Sequence, residues 1–376
     1  MTLKKLVISC GGTGGHFYPG LSLARQVKAR GGVVLLQLSG VNSEAQAKIA
    51  ADFGIEADVL PLMPSPHGLK NTIKFLRGAA EGFIQAKKSL RKFAPDAVMG
   101  MGSFASLPTL LAAQRLHVPI FLHDGNARIG KANRLFSRFA HMVFTAFPPV
   151  NCDKVKAPVL ELGMPVRPEM TPGKLTHTEA LSQLNKLYGW QLSAEKPIIL
   201  VTGGSQGART LNVAAAAAAA ELQAENVDLQ LVHLCGKSLL NETERLYQTL
   251  NCKVNLLPVS EQMALLYRVA DAVVARSGGS TVAELITYGK YAVLCPYPYA
   301  AEHHQHDNAR HMVSLGAAEL IENADFTVAK AADVLRRLAL NCAKYRKLGE
   351  NAQNNIHKNA ADAILDEIER FTHKKL

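Results

Sequence analysis

The chain has 376 residues, 48% of them hydrophobic and 19% charged, which excludes a mainly disordered polypeptide, because sparse apolar content with dense charge is what keeps chains unfolded. Its longest weakly apolar run, Val213 to Ala220, falls far short of the roughly 20 residues that cross a bilayer. The net charge of +11 comes from the N-terminal part: of 42 Lys and Arg and 31 Asp and Glu, residues 1–170 hold 21 and 10, leaving 21 and 21 beyond. Such asymmetry points to an anionic partner for that part, whether nucleic acid, phosphate groups or an acidic membrane surface.

A first strand is expected at Leu6–Cys10. It follows Lys4 and Lys5, but its apolar stretch is too short for an export signal, which needs about 7 to 15 apolar residues. Gly11-Gly12-Thr13-Gly14-Gly15 then turns into a helix. Further short apolar runs at Val33–Leu38, Ala97–Gly100, Ile120–His123 and Met142–Thr145 alternate with segments of helical period, the signature of β-α units around a parallel sheet. Residues 69–92 read as a helix with Leu69, Ile73, Leu76, Ala80, Phe83 and Leu90 on one stripe and Lys70, Lys74, Arg77, Lys88 and Arg91 beside it. Core packing or an interfacial membrane contact would both produce that pattern.

Three prolines and two glycines between Gly163 and Gly173 block regular structure and mark a linker. Beyond it the pattern restarts, with strands expected at Ile198–Thr202, Leu229–Leu234, Val254–Leu257, Ala272–Ala275 and Ala292–Cys295. A second glycine turn, Gly203-Gly204-Ser205-Gln206-Gly207, precedes a helix built on Ala214–Ala220. The closing helix, Ala360–Phe371, places Ala363, Ile364, Ile368 and Phe371 on its apolar stripe. The expected fold class is therefore α/β, with two Rossmann-like parallel-sheet domains facing across a cleft: 1–162, a linker at 163–173, and 174–356, with 357–376 packing back on the first.

Glycines between a strand and a helix let backbone approach a phosphate at the positive helix end. Neither turn carries a dinucleotide or Walker fingerprint: Gly12-Thr13-Gly14-Gly15-His16-Phe17 lacks a third glycine in G-x-G-x-x-G, and Gly20 is followed by Leu21-Ser22 rather than Lys. The second turn does fit the G-x-S-x-G nucleophile elbow, with Glu284 and His304 following in hydrolase order, so a serine hydrolase acting through Ser205 is the rival reading. His303, His304, His306 and His311 cluster without completing a zinc motif, and no Asp-x-Asp pair offers a metal clamp. Six cysteines without a C-x-x-C pair suit reduced thiols in a cytoplasmic protein.

Four motifs in order, Gly11 to His16 with Pro19-Gly20, Gly100-Met101-Gly102-Ser103-Phe104, Gly203 to Ala208, and Arg276-Ser277-Gly278-Gly279-Ser280-Thr281-Val282-Ala283-Glu284, resemble the MurG family of peptidoglycan N-acetylglucosaminyltransferases along essentially the whole chain. The resemblance implies a GT-B fold and an inverting transfer of N-acetylglucosamine from UDP-N-acetylglucosamine to the lipid-linked muramoyl pentapeptide, lipid I, giving lipid II. No cofactor or metal is implied, and no nucleic acid. Another GT-B lipid glycosyltransferase, a UDP-sugar epimerase and a non-catalytic UDP-sugar-binding module are the alternatives.

Carried over by position, the donor residues would be Thr13, Gly14, Gly15, Asn126, Arg167, Ser205, Gln206, Val259, Gly279, Ser280, Thr281, Val282, Ala283, Glu284 and Gln305. Gly14, Gly15, Gly102, Ser103 and Phe104 would meet the acceptor diphosphate. His16 or Asp124 would act as base. Lys70, Ile73, Lys74, Leu76, Arg77 and Phe83 would touch an anionic membrane, placing the protein on the cytoplasmic face of the plasma membrane. The family's Gly-Gly-Tyr reads here Gly102-Ser103-Phe104, its His-Glu-Gln-Asn reads His123-Asp124-Gly125-Asn126, and its Gly-Asn-Pro-Val-Arg reads Gly163-Met164-Pro165-Val166-Arg167.

Overall fold

The computed structural model describes residues 3–63, 69–353 and 359–373. Two compact units divide the chain between Pro168 and Glu169, and the first unit takes back the C-terminal segment from His357. The first unit runs β1 (Lys5–Cys10), α1 (Gly14–Ala29), β2 (Val33–Leu38), α2 (Ser43–Asp52), β3 (Glu56–Val59), α3 (Leu69–Phe93), β4 (Ala97–Gly100), α4 (Leu107–Arg115), β5 (Ile120–Asp124), α5 (Lys131–Phe136), β6 (Met142–Thr145) and β7 (Val159–Glu161). The second runs α6 (His177–Tyr188), β8 (Ile198–Thr202), α7 (Arg209–Ala224), β9 (Gln230–Leu234), α8 (Leu240–Thr249), β10 (Asn255–Leu257), α9 (Met263–Val269), β11 (Ala272–Ala275), α10 (Gly279–Thr287), β12 (Tyr291–Leu294), α11 (His304–Ser314), β13 (Ala318–Leu320), α12 (Val328–Leu340) and α13 (Cys342–Gln353). The last helix, α14 (Ala360–His373), returns to the first unit.

Among the described residues, the first unit holds a seven-stranded parallel sheet in the order β3-β2-β1-β4-β5-β6-β7 and the second a six-stranded parallel sheet in the order β10-β9-β8-β11-β12-β13. Central strands such as β4, β5, β8 and β11 are buried along their whole length, which is why they read in the sequence as apolar blocks rather than alternations. Three strands escaped that reading: Glu56-Ala57-Asp58-Val59, Val159-Leu160-Glu161 and Ala318-Glu319-Leu320. All three are edge strands, three or four residues long and largely half-exposed. An edge strand needs little apolar content and tolerates charge, so periodicity carries little signal there.

The α3 helix departs from its expected stripe. Its packing face is built from Gly78, Gly82, Ala86 and Leu90, all buried. A Cβ on Gly78 would lie 2.7 Å from the Leu62 carbonyl oxygen, and one on Gly82 would lie 3.0 Å from Pro108 of α4, so small residues let the neighbouring chain come close. Leu90 thus leaves the stripe for the core and Phe83 is half-buried, while Ile73, Leu76 and the overlooked Ile84 are 58%, 61% and 67% exposed. Lys74 and Arg77 are exposed beside them. The side chain of Lys70 lies outside the described residues.

In α14, Ile364, Leu365 and Ile368 enter the core of the first unit, and Phe371 meets the rings of Phe121 and His141 at 5.5 and 4.5 Å. Leu365 replaces Ala363, which is only half-buried, in the expected stripe. The helix is also held by charge: Arg30, at the end of α1, bonds Asp362 through Nε at 2.9 Å and Asp366 at 2.7 Å, with Glu369 at 3.5 Å, and Gln26 donates to Asp362 at 2.7 Å. Arg30→Ala should cost about 1 to 2 kcal/mol, since the pairs are partly exposed. Urea denaturation checks the magnitude, and amide exchange in α14 no faster than in the parent would show that the charges do not hold this helix.

Candidate active site

In the first sheet, the connection leaving β1 runs to β2 on one side and that leaving β4 runs to β5 on the other. A crevice must open between their carboxyl ends, the usual ligand position in such sheets. Both N-terminal glycine turns sit there. Gly11 has φ +123, and a Cβ on it would lie 2.7 Å from the Ser39 carbonyl oxygen, so the turn requires glycine for conformation and for space. Thr13, Gly14 and Gly15 are exposed at the start of α1, where Thr13 is the N-cap residue without a side-chain capping bond. His16 Nδ1 lies 3.1 Å from Thr13 Oγ1. A Cβ on Gly102 would meet the His16 ring at 3.2 Å, so the two turns touch through His16.

At the end of β5, His123 is buried, with Nε2 3.1 Å from the Gly163 carbonyl. Burial pushes its pKa down to about 4, so the ring is neutral and Nε2–H donates. Asp124 is 5% exposed. One carboxylate oxygen accepts from the backbone and side-chain amides of Asn126 (3.1 and 3.4 Å), the other from Gly130 N–H (2.8 Å) and Asn133 Nδ2 (3.0 Å). Burial pushes the Asp124 pKa up, and these donors draw it back. The carboxylate is thus enclosed by protein donors and organises the loop. Asn133, which also donates to the His123 carbonyl at 2.9 Å, was not visible in the sequence, where one Asn in a short mixed helix has no distinguishing context. Met164 lies on Gly125, where a Cβ would come within 2.9 Å of its methyl. Arg167 stacks over Tyr18 at 4.7 Å.

The second sheet repeats the arrangement between β8 and β11, whose connections also diverge. Gly203–Gly207 follows β8, and Arg276–Glu284 follows β11. Gly207 has φ +75, and a Cβ there would lie 2.1 Å from the Cys235 carbonyl oxygen; one on Gly236 would lie 2.5 Å from the Gly207 Cα. The turn is therefore set by backbone lying on backbone. Beneath it, His233 bonds Tyr247 Oη at 2.8 Å and Asn212 Oδ1 at 3.0 Å, and Asn212 Nδ2 donates to the Cys235 carbonyl at 2.9 Å. Ser205 and Gln206 are exposed on the outside of the turn, and Val259 is half-buried after Pro258, whose carbonyl accepts from Gly236 N–H at 2.8 Å.

Gly279, Ser280 and Thr281 form the first turn of α10, whose N-cap Gly278 has no side chain to close it. Ser280 Oγ is buried without a partner among the described residues. Val282 and Ala283, also expected at the donor, instead point into the core at 0% and 7% exposure. Helical period takes them inward, and the backbone is engaged too: Val282 N–H donates to the Gly278 carbonyl at 2.9 Å and the Ala283 carbonyl accepts from Thr287 Oγ1 at 2.8 Å. Glu284 accepts from Tyr267 Oη at 3.2 Å. Gln305 accepts from Tyr297 N–H through Oε1 at 2.9 Å, and its own carbonyl accepts from Ser277 Oγ at 2.8 Å. Arg276, not singled out as a site residue, ties the motif to the loop after β12 by donating to the carbonyls of Cys295 and Pro296 at 3.0 Å each.

A hydrolase triad is not assembled. His304 Nδ1 faces the Ala301 carbonyl at 2.8 Å, where a triad requires a carboxylate, and Glu284 is engaged with Tyr267. Of the histidine cluster, His306 pairs with Glu322 at 2.8 Å and His303 contacts its ring; among the described residues, no group of three potential ligands could hold a metal ion.

Residues 6–145 match the glycosyltransferase family 28 N-terminal domain, and residues 198–364 match the family 28 C-terminal domain. The chain belongs to glycosyltransferase family 28. Among curated relatives, one from Trichlorobacter lovleyi is 31% identical, covering 97% of each chain, and one from Xanthomonas campestris is 34% identical, covering 98% of this chain and 82% of its own. Both bear the name UDP-N-acetylglucosamine--N-acetylmuramyl-(pentapeptide) pyrophosphoryl-undecaprenol N-acetylglucosamine transferase. The crystal structure of Acinetobacter baumannii MurG is similar with a TM-score of 0.75 at 27% identity, covering 98% of this chain and 99% of that one. A UDP-GlcNAc 2-epimerase from Neisseria meningitidis, at 15% identity and a TM-score of 0.68, shares the fold. The two parallel-sheet units are those of a GT-B glycosyltransferase.

Two buried histidines make stability pH-dependent. Burial lowers His123 to about 4 and His233 to about 3, against an ordinary 6.5. Below pH 6.5 the unfolded chain binds protons that the folded chain refuses, so this contribution is full above pH 6.5 and falls by about 1.4 kcal/mol per pH unit per histidine as pH drops toward 4. Urea midpoints measured from pH 7 to 4.5 should decline accordingly, and His233→Gln should make the decline shallower by about one proton. An equal slope in that variant would mean that His233 is not buried neutral.

Proposed function

We propose that the chain transfers N-acetylglucosamine from UDP-N-acetylglucosamine to the 4-hydroxyl of the muramoyl sugar of lipid I, forming lipid II for peptidoglycan. The observation that carries this reading is the pair of glycine turns at the two switch points, one per unit, in a family 28 chain whose curated relatives bear that activity in their names. The second unit takes the donor: the Ser205-Gln206 turn and the first turn of α10 present N–H groups to the diphosphate, Ser280 Oγ adds a donor, Glu284 accepts the ribose hydroxyls, and Gln305 meets the sugar. The first unit takes the acceptor diphosphate on Gly14, Gly15 and the Gly102 turn.

Chemically, the acceptor oxygen attacks the anomeric carbon as its bond to the UDP oxygen breaks, inverting the centre. The proton goes to the His16 imidazole, whose Nδ1 lies 3.1 Å from Thr13 Oγ1 at the start of α1. Asp124 positions the loop of Asn126 and Gly130. The departing diphosphate is stabilised by N–H groups and helix ends, with no metal required. UDP release should occur with a lipid I analogue and not without it. Donor consumption without acceptor would indicate an epimerase. His16→Ala should lower turnover about 10²- to 10⁴-fold while keeping UDP affinity, and near-normal turnover at saturation would exclude it as base.

The reading extends to location: a cytoplasmic enzyme lying peripherally on anionic lipid. No helix among the described residues is long and apolar enough to cross a membrane. Exposed Ile73, Leu76 and Ile84 stand among Lys74, Arg77, Lys88 and Arg91, and Phe83, Ile84, Lys87, Lys88, Arg91 and Lys92 line a hollow of 590 Å³. Basic groups gain about 1 kcal/mol each near anionic lipid. Reversing Lys74, Arg77 and Lys88 to Glu should weaken binding to anionic vesicles and spare UDP binding. Undiminished vesicle binding would reduce this face to a merely solvated one.

A further inference from the structure

We infer that the acceptor's prenyl chain, at the end joined to its diphosphate, runs over Phe104 and Phe75 and into the cavity between α3 and α4. The inference rests on the lipid-linked acceptor proposed above. Ser103 adopts φ 67 and ψ 151, with its Oγ accepting from Ala105 N–H, a backbone region that non-glycine residues enter only under strain. That conformation sets Phe104 at the lip of the Gly102 turn, 43% exposed. Its ring meets Phe75 of α3 edge-on, with centroids 6.5 Å apart and planes at 81°.

From Phe75, Ala79 and Phe83 follow at intervals of four residues on one side of the helix, a span of about 12 Å along its axis. Ala79, Ala80, Phe83 and Leu111 line a cavity of 510 Å³ with Arg115 and His117 at its wall. An apolar track thus leads from a phosphate-type turn to a cavity. In a prenyl diphosphate the hydrocarbon begins at the phosphate ester oxygen, so its first isoprene must lie beside whatever holds the phosphate. An exposed phenylalanine at that lip supplies the contact that a turn serving a free nucleotide or sugar phosphate would not need. The exposed Ile73, Leu76 and Ile84 are separate side chains from Phe75 and Phe104, and Phe83 borders both the track and the lipid-facing hollow.

The experiment compares two soluble acceptors without vesicles, the muramoyl pentapeptide diphosphate as its farnesyl ester and as its methyl ester, by UDP release. The wild-type enzyme should prefer the farnesyl ester in kcat/KM. Phe75→Leu and Phe104→Leu should each lower that preference about five- to tenfold, the order expected for losing contact with a few methylene equivalents, chiefly through KM for the farnesyl ester. Phe104→Tyr should retain it. A diazirine on the first isoprene should label the 69–93 and 102–106 peptides of the wild-type protein, a readout independent of how the variants fold. Equal losses toward both esters, or labelling elsewhere, would overturn the track. A wild-type enzyme inert toward both esters would overturn the transferase reading itself.

Discussion

Everything functional in this chain depends on one constraint of parallel sheets, that two neighbouring strands can send their connections in opposite directions only by leaving a gap at their carboxyl ends. The gap falls between β1 and β4 in one unit and between β8 and β11 in the other. Because crossovers are right-handed, the helices after these strands start at the gap and point their unpaired N–H groups toward it. A turn that enters such a gap has no room for side chains on its inner surface. Hence Gly11 lies on the Ser39 backbone and Gly207 on Cys235; at each, positive φ and close approach act together, and no other residue satisfies both.

Polar groups under the turns then fix their position. Asp124 gathers Asn126, Gly130 and Asn133, and His233 joins Asn212 to Tyr247. Each buried partner left unsatisfied costs about 1 to 3 kcal/mol, so a fully connected set resists small displacements more than an apolar surface would. Moving the Asp124 carboxylate to meet a ligand would strand several donors at once. His16 is half-buried at the start of α1, with Nδ1 3.1 Å from Thr13 Oγ1.

Legibility in the sequence followed the physics of each feature. The buried strands and both glycine turns were readable because burial on two faces and close backbone approach each demand particular residue types over a few consecutive positions. Of the edge strands, β3, β7 and β13 were not, since Glu56-Ala57-Asp58-Val59 is as consistent with a loop as with a strand. Among the expected donor residues, Ser205 and Gln206 stand exposed, yet Val282 and Ala283, contiguous with Glu284 in one motif, turn inward once helical period is applied. Asn133 and Asn212 remained hidden because their partners lie on other elements, and a lone asparagine looks alike on a solvent face and in a buried network.

The α3 helix shows the same limit from the other side. Its packing surface is largely glycine and alanine, residues that a hydrophobic stripe passes over, so the leucines and isoleucines left outside read as either core or membrane face. Residues 69–93 carry seven Lys and Arg against a single acid, Glu81, so more than half of the chain's excess positive charge sits on one helix. Packing through glycines brings α3 close to its neighbours while burying little apolar area, and the isoleucines that would otherwise supply that area remain exposed. An arrangement chosen only for the stability of the first unit would turn Ile73, Leu76 and Ile84 inward. Their standing among cations instead gives α3 a surface that is both apolar and basic, and the proposed contact with anionic lipid rests on that pairing.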